Sequence, residues 1–468
     1  MQPLTAFDAG WLHTETENMP MHIGSLAVFP QPAVSMDEVV ETLRARIAAS
    51  APEVALFHRK LDAMSLRMGN PVWTDEHEPD LDYHVRRLVL AAPGGMAALN
   101  RAAVELHKQL LDRSKPLWQI TVIEGLQEGG FAVYFKMHHC AVDGGAVTGV
   151  LDRIYGDGPV QAPVRPVVAP KAAGGGAAGL MWSSWMNMME MPLKMMGAMP
   201  EIMKGGMEMM KGGMPSRDSL PARAPKTPFN RALGRDRSLG LVSIPFADIK
   251  AFGKSRGATI NDVVLAFCSS ALRRYLDEKG ILPAEPLVAG LPVSLREDGE
   301  DDGKNQVTMM TTVLATNVAD RAALLPAIQK SVAVSKDQLG RMRPFARVMM
   351  DMPSMAMPFM NAATRMFESS GMLDRMPGML NLWISNVPGA RKAYRCGGVD
   401  AIHNFPLSIP MHGIALNITV TSYVDSMEFA IVAGTQAAPD AQHMADLLAE
   451  EFAALVAAGG AGATRKAK

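Results

Sequence analysis

Phe131-Ala132-Val133-Tyr134-Phe135-Lys136-Met137-His138-His139-Cys140-Ala141-Val142-Asp143-Gly144-Gly145 is the stretch from which the rest of the chain can be read. Its first seven residues form a short, aromatic, mostly apolar run that stops at a turn-rich segment, which favours a strand over a helix. Side chains at such a strand end reach into a cleft. Successive strand side chains point to opposite faces, so only one of His138 and His139 is expected to reach a reacting group. Gly144 and Gly145 permit the tight backbone needed by Asp143 and the start of a following helix.

The residue types suggest a chemistry. Imidazole is the side chain whose ordinary pKa lies near neutrality, so a histidine in a cleft suits removal of a hydroxyl proton. If the acyl donor is a thioester, thiolate is already a good leaving group. Neither a covalent acyl-enzyme nor a Ser or Cys nucleophile is then required. Cys140 lies inside the motif without a sequence-visible activating cation, and it is expected to pack. The spacing His-His-x-x-x-Asp-Gly should arise by chance in roughly one chain in a thousand of this length.

Working outward, helices are expected near Met36 to Ala51, Gly95 to Arg113, Ala258 to Lys279 and Asp440 to Ala457, and strands at Pro286 to Leu295 and Val307 to Thr316. Leu416, Ile418 and Val420 alternate with Asn417, Thr419 and Thr421. Asp425-Ser426 can turn that strand back into Phe429 to Ala433. Thr259-Ile260-Asn261-Asp262 fits a capping box, with Thr259 as cap and Asp262 reaching back. Both halves mix helices and strands, an α/β chain of the α+β kind. At 468 residues two domains are expected, with boundaries at 1–157 and 234–468 around a Pro/Gly- and Met-rich linker, 158–233.

Within the linker, Met181 to Met214 holds 13 of the 37 methionines, and Met-Lys-Gly-Gly-Met occurs at 203–207 and again at 210–214. Two readings stand: a loosely packed connector, or an interfacial region whose Trp182, Trp185 and methionines meet lipid while its lysines meet water. The Gly pairs, Pro192 and Pro200 favour short, broken helices. The 46 basic against 47 acidic residues leave no positive field for nucleic acid. Three widely spaced cysteines match neither a disulfide framework nor a metal site, so a reducing cytosol is expected and no metal is implied. The start lacks a secretory signal pattern and no apolar run is long enough to span a bilayer, so a cytoplasmic protein with at most surface contact to membrane or lipid inclusions is expected.

Further blocks occur in order around the motif: Pro20-Met21-His22-Ile23-Gly24, Pro116-Leu117-Trp118, Asn261-Asp262, Leu291-Pro292-Val293-Ser294-Leu295-Arg296 and Ser385-Asn386-Val387-Pro388-Gly389. With these the chain resembles the bacterial wax ester synthase/diacylglycerol acyltransferase family, within the CoA-dependent acyltransferases that share the motif, over almost its whole length. It departs in having Ala390 where a second proline is common and in its long Met-rich linker, departures that bear on substrate choice. The resemblance implies two chloramphenicol-acetyltransferase-like domains forming a pseudo-dimer, with the active site in a tunnel between them. It implies transfer from acyl-CoA, a substrate rather than a cofactor, to diacylglycerol or a long-chain alcohol.

On this reading His139 is the general base, and His138 and Asp143 complete the catalytic set mainly by holding it, Asp143 with Arg296 as a partner. Gly144, Asn261, Ser385 and Asn386 are expected at the substrate, Asn261 as a donor to the oxyanion. Pro116, Leu117, Trp118 and Asp262 are expected to be architectural. The acidic stretch 297–302 reads as a solvated loop. Two rivals are a transferase for a specialised polyketide- or peptide-type acceptor, as in condensation domains, and a non-catalytic protein of lipid-inclusion surfaces. The isolated chain weighs against the first and the intact motif against the second.

Overall fold

The computed structural model describes residues 2–63, 65, 71–75, 79–142, 147–156, 224–294, 307–350, 364–366, 368, 370–375 and 378–465. Residues 158–223 of the expected linker, with its Met-rich segment, the acidic stretch, Asp143, Gly144 and Arg296 lie outside them, whereas 224–233 are described and bury Phe229 and Leu233 in the second core. The longer elements of the first half are α1 (Ala6–Thr14), β1 (His22–Phe29), α2 (Met36–Ser50), β2 (Val85–Val89), α3 (Met96–His107), β3 (Trp118–Glu124), β4 (Phe131–His138) and α4 (Val147–Ile154). The second half supplies β5 (Arg237–Pro245), α5 (Phe246–Ser255), α6 (Ile260–Glu278), β6 (Val288–Ser294), β7 (Val307–Val313), α7 (Arg321–Met350), β8 (Leu382–Val387), β9 (His403–Leu407), β10 (Leu416–Tyr423), β11 (Ser426–Gly434) and α8 (Ala441–Arg465).

Two sheets result. One has five strands in the order β9-β1-β4-β3-β2, the other six in the order β7-β6-β8-β10-β11-β5. The motif strand β4 sits at the centre of the first and is buried along its whole length, consistent with its continuous apolar run. Its outer face packs under α2 and α4 through Val39, Leu43, Ile47 and Leu151 against Phe131, Val133 and Phe135. Trp118 at the start of β3 is fully buried, stacks on His84 at 4.1 Å and meets Phe57 edge-on at 5.1 Å. The neighbouring Leu117 carbonyl accepts from the His138 N–H at 3.0 Å. Pro116-Leu117-Trp118 is therefore placed as architecture beside the motif.

β9 comes from the second half of the sequence yet pairs antiparallel with β1, His403 opposite Val28 and Leu407 opposite Gly24. It carries Phe405 and Leu407 into an apolar layer that also holds Leu26, Tyr134, Leu241 and Val432, so residues of both sheets share one core. The second sheet has its own core, in which α6 buries Val263 to Cys268 and α8 buries Met444, Leu447 and Leu448.

The capping box at Thr259 and Asp262 is present, with both reciprocal hydrogen bonds formed. The helix expected to run to Arg113 ends at His107 instead. There the buried ammonium of Lys136 takes the carbonyls of Leu106 and Gln109 at 2.7 and 2.6 Å, a cation satisfying the helix end. The long helix α7 runs through Pro326 and Pro344, residue types that disfavour a helix interior. No described helix is long and apolar enough to cross a membrane.

Candidate active site

The end of β4 splits two adjacent histidines between opposite environments. In the antiparallel pairing of β4 with β1, His138 stands opposite His22, and both rings are fully buried. Glu15, just past the end of α1, inserts its carboxylate between them. Its Oε1 lies 3.2 Å from His22 Nε2 and 3.3 Å from His138 Nε2, and it accepts from the Met21 N–H at 3.1 Å. Its Oε2 accepts from Arg113 Nη2 at 2.9 Å. Burial pushes the Glu15 carboxyl up, but His138 and His22 pull it down more strongly, so it rests well below the usual carboxylate range. Burial pushes the His22 imidazole down to about 4, against the pull of Glu15.

This buried cluster fixes the motif backbone. His138 Nδ1 accepts from the Cys140 N–H at 3.1 Å. The His139 N–H donates to the Met21 carbonyl at 2.9 Å, next to the amide that Glu15 holds. His138 is thus a structural member of the pair, in line with strand alternation. Cys140 is buried and its thiol is pushed well up by that burial, so no thiolate is at hand.

His139 faces the other way. Its ring stacks on Trp11 of α1 with centroids 4.2 Å apart and planes 16° from parallel. It lines a cleft between the two sheets enclosing about 710 Å³, part of it open to solvent. The first sheet and α4 contribute Ile23, Gly24, Met137, Val147 and Leu151, while the crossing strand contributes Asn404, Pro406 and Leu407. From the second sheet come Ser385 and Val387 of β8 and Thr419 and Thr421 of β10. Those four stand as directly paired neighbours in the parallel β8–β10 register, Ser385 with Thr419 and Val387 with Thr421, hence on one face.

The hydroxyls of this wall differ in their engagement. Thr419 donates to Asn417 Oδ1 at 2.7 Å, Thr421 to the Val387 carbonyl at 3.0 Å and Ser25 to Asn404 Oδ1 at 2.5 Å. Pro388 and Gly389 close the β8 end of the cleft. A Cβ at Gly389 would fall 1.9 Å from the Ser422 carbonyl, so the turn needs glycine for close approach.

The structure brings His139 and Ser385 to one cleft, and leaves two expected residues elsewhere. Asn386 is exposed and is not among the cleft-lining residues, because it alternates with Ser385 along β8. Asn261, half-buried in the first turn of α6, does not line the cleft either. Asp262 is taken up by its cap. Glu15, Trp11 and Arg113 carry no local motif and were not singled out from sequence. His22 lay inside a recognised block and could have been. Among the described residues no group of three or more His, Cys, Asp or Glu is placed to hold a metal ion.

Family models match the description "wax ester synthase/diacylglycerol acyltransferase catalytic domain" over residues 4–264 and "WS/DGAT C-terminal domain" over 304–456. The chain belongs to the wax ester synthase/diacylglycerol acyltransferase family. A Mycobacterium tuberculosis member that bears the name diacylglycerol O-acyltransferase is 34% identical over 94% of this chain and 96% of its own length. A second, from Mycobacterium bovis and named for the same activity, is 34% identical over 98% of this chain and 92% of its own. The solved wax ester synthase/diacylglycerol acyltransferase of Marinobacter aquaeolei VT8 superposes with a TM-score of 0.68 at 28% identity, covering 98% of this chain and all of that one. The starter condensation domain of rhizomide synthetase shares the fold, with a TM-score of 0.56 at 14% identity over 97% of this chain and 94% of its own. This family member is thus a two-domain α/β acyltransferase.

Proposed function

We propose that the chain moves a long-chain fatty acyl group from acyl-CoA to diacylglycerol or to a long-chain alcohol, with His139 as general base. The observation that carries this reading is a single imidazole, backed by Trp11, facing a largely apolar cleft between the sheets. His139 takes the acceptor hydroxyl proton as the oxygen attacks the thioester carbonyl. The Ser385 hydroxyl, which makes no hydrogen bond to another described residue, donates to the developing oxyanion. When the tetrahedral intermediate collapses, the C–S bond breaks and CoA leaves as the thiol, with the proton returned by His139. The cleft is the central part of a tunnel that CoA enters from one face and the acceptor from the other. The acceptors partition into lipid, so the enzyme works at a membrane or lipid-inclusion surface, with residues 181–214 as the contact.

The test is CoA release from palmitoyl-CoA with hexadecanol or dioleoylglycerol as acceptor, the products being identified by mass spectrometry. Release that depends on either acceptor and yields wax ester or triacylglycerol is expected. Release at the same rate without acceptor would mean thioester hydrolysis and would overturn the assignment.

A further inference from the structure

We propose that Trp11 is a positioning residue for the reaction, holding the His139 ring in its working plane and stabilising the imidazolium formed when the base takes up the acceptor proton. The inference rests on His139 being that base. The stack at 4.2 Å and 16° puts the imidazole over the indole face, within the range where a cation gains from the aromatic quadrupole, and Trp offers the strongest such face. Neutral imidazole gains little from that face and imidazolium much more, so the stabilisation grows as proton transfer proceeds.

The indole is itself held. Phe7 meets it edge-on at 5.6 Å from the preceding turn of α1. Arg113 ties the end of that helix by donating to the Leu12 carbonyl at 2.8 Å and to Glu15. A second observation separates Trp11 from ordinary packing. Its Nε1–H is buried with no hydrogen-bond partner among the described residues. Buried Trp N–H groups usually find a partner, and Phe or Leu would fill the same space without that cost. The position is therefore explained by the ring face.

The experiment compares full-length wild type, Trp11→Phe, Trp11→Leu and His139→Ala by kcat, by KM for palmitoyl-CoA, by the pH profile of kcat/KM and by melting temperature. Asp8 and Glu15 from the α1 side, His22, Lys136, His138, Asp152 and Tyr394 are further ionisable side chains on the elements around His139. All are unchanged in the Trp11 variants, so a difference between those variants isolates the ring. For Trp11→Leu, kcat is expected to fall about five- to thirtyfold at unchanged KM. The acidic limb should move about half a unit to one and a half units to lower pH, because imidazolium is less stabilised. Trp11→Phe should fall between Leu and wild type.

Equal losses in the Phe and Leu variants with an unmoved acidic limb would make Trp11 a packing residue and overturn the proposal. Wild-type kcat and pH profile in Trp11→Leu would do the same, provided His139→Ala is inactive. Full activity in His139→Ala would instead bring down the base assignment on which the proposal stands.

Discussion

Two histidines adjacent in sequence meet opposite surroundings at the end of β4. On the His138 side lies a buried carboxylate that contacts His138, a second buried imidazole and a guanidinium. On the His139 side lie an aromatic face and an open cleft. The first environment spends its polar atoms on one another and on backbone amides, so it sets where the motif sits. The second leaves an imidazole facing space where a substrate can bind. Side-chain alternation converts one residue step into a change of surroundings, from a buried polar cluster to the cleft where the proposed chemistry is set.

The difference can be attacked from the holding side first. Glu15→Ala removes the acceptor shared by the Met21 amide and both buried histidines, and should lower stability by about 2–4 kcal/mol, read by denaturant unfolding. A variant as stable as wild type would mean the cluster holds nothing. On the cleft side, Ser385→Ala should lower kcat roughly a hundredfold as an oxyanion donor is lost, with little change in unfolding. An unchanged kcat would remove Ser385 from the reaction.

The buried cluster also predicts an acid dependence of stability. His22 titrates near 4 in the folded protein against 6.5 ordinarily, so between those values the unfolded chain binds more protons and stability rises with pH. Glu15, held below its ordinary range, acts in the same sense: its contribution is present above about 4.5 and fades as pH falls further. Melting temperature should therefore decline from about pH 6.5 downward, and His22→Gln should flatten that decline. An identical slope in the variant would show that His22 titrates normally. The smallest effect is expected at Asn386→Ala, which should stay within about 0.5 kcal/mol and about twofold in kcat. A large loss there would place Asn386 back at the substrate.

Much of this arrangement was legible because it follows local rules. The apolar run 131–137 gave the motif strand, alternation separated His138 from His139, and the offset between Thr259 and Asp262 gave the capping box. The same alternation along β8 puts Ser385 at the cleft and leaves Asn386 exposed. What stayed hidden depends on distant pairing. Nothing near Glu15 announces that it will sit between His22 and His138, because β1 and β4 must first align. The crossing of β9 into the first sheet joins residues almost four hundred apart, with Phe405 opposite Leu26. Nothing in the sequence around Trp11 marks it until the fold lays it on His139.

The most direct test of the account is acceptor-dependent CoA release measured for wild type and His139→Ala side by side, with melting temperatures recorded for both. The account predicts that the variant melts like wild type while its kcat falls by about a hundredfold to ten-thousandfold. Equal turnover by the two proteins would contradict it.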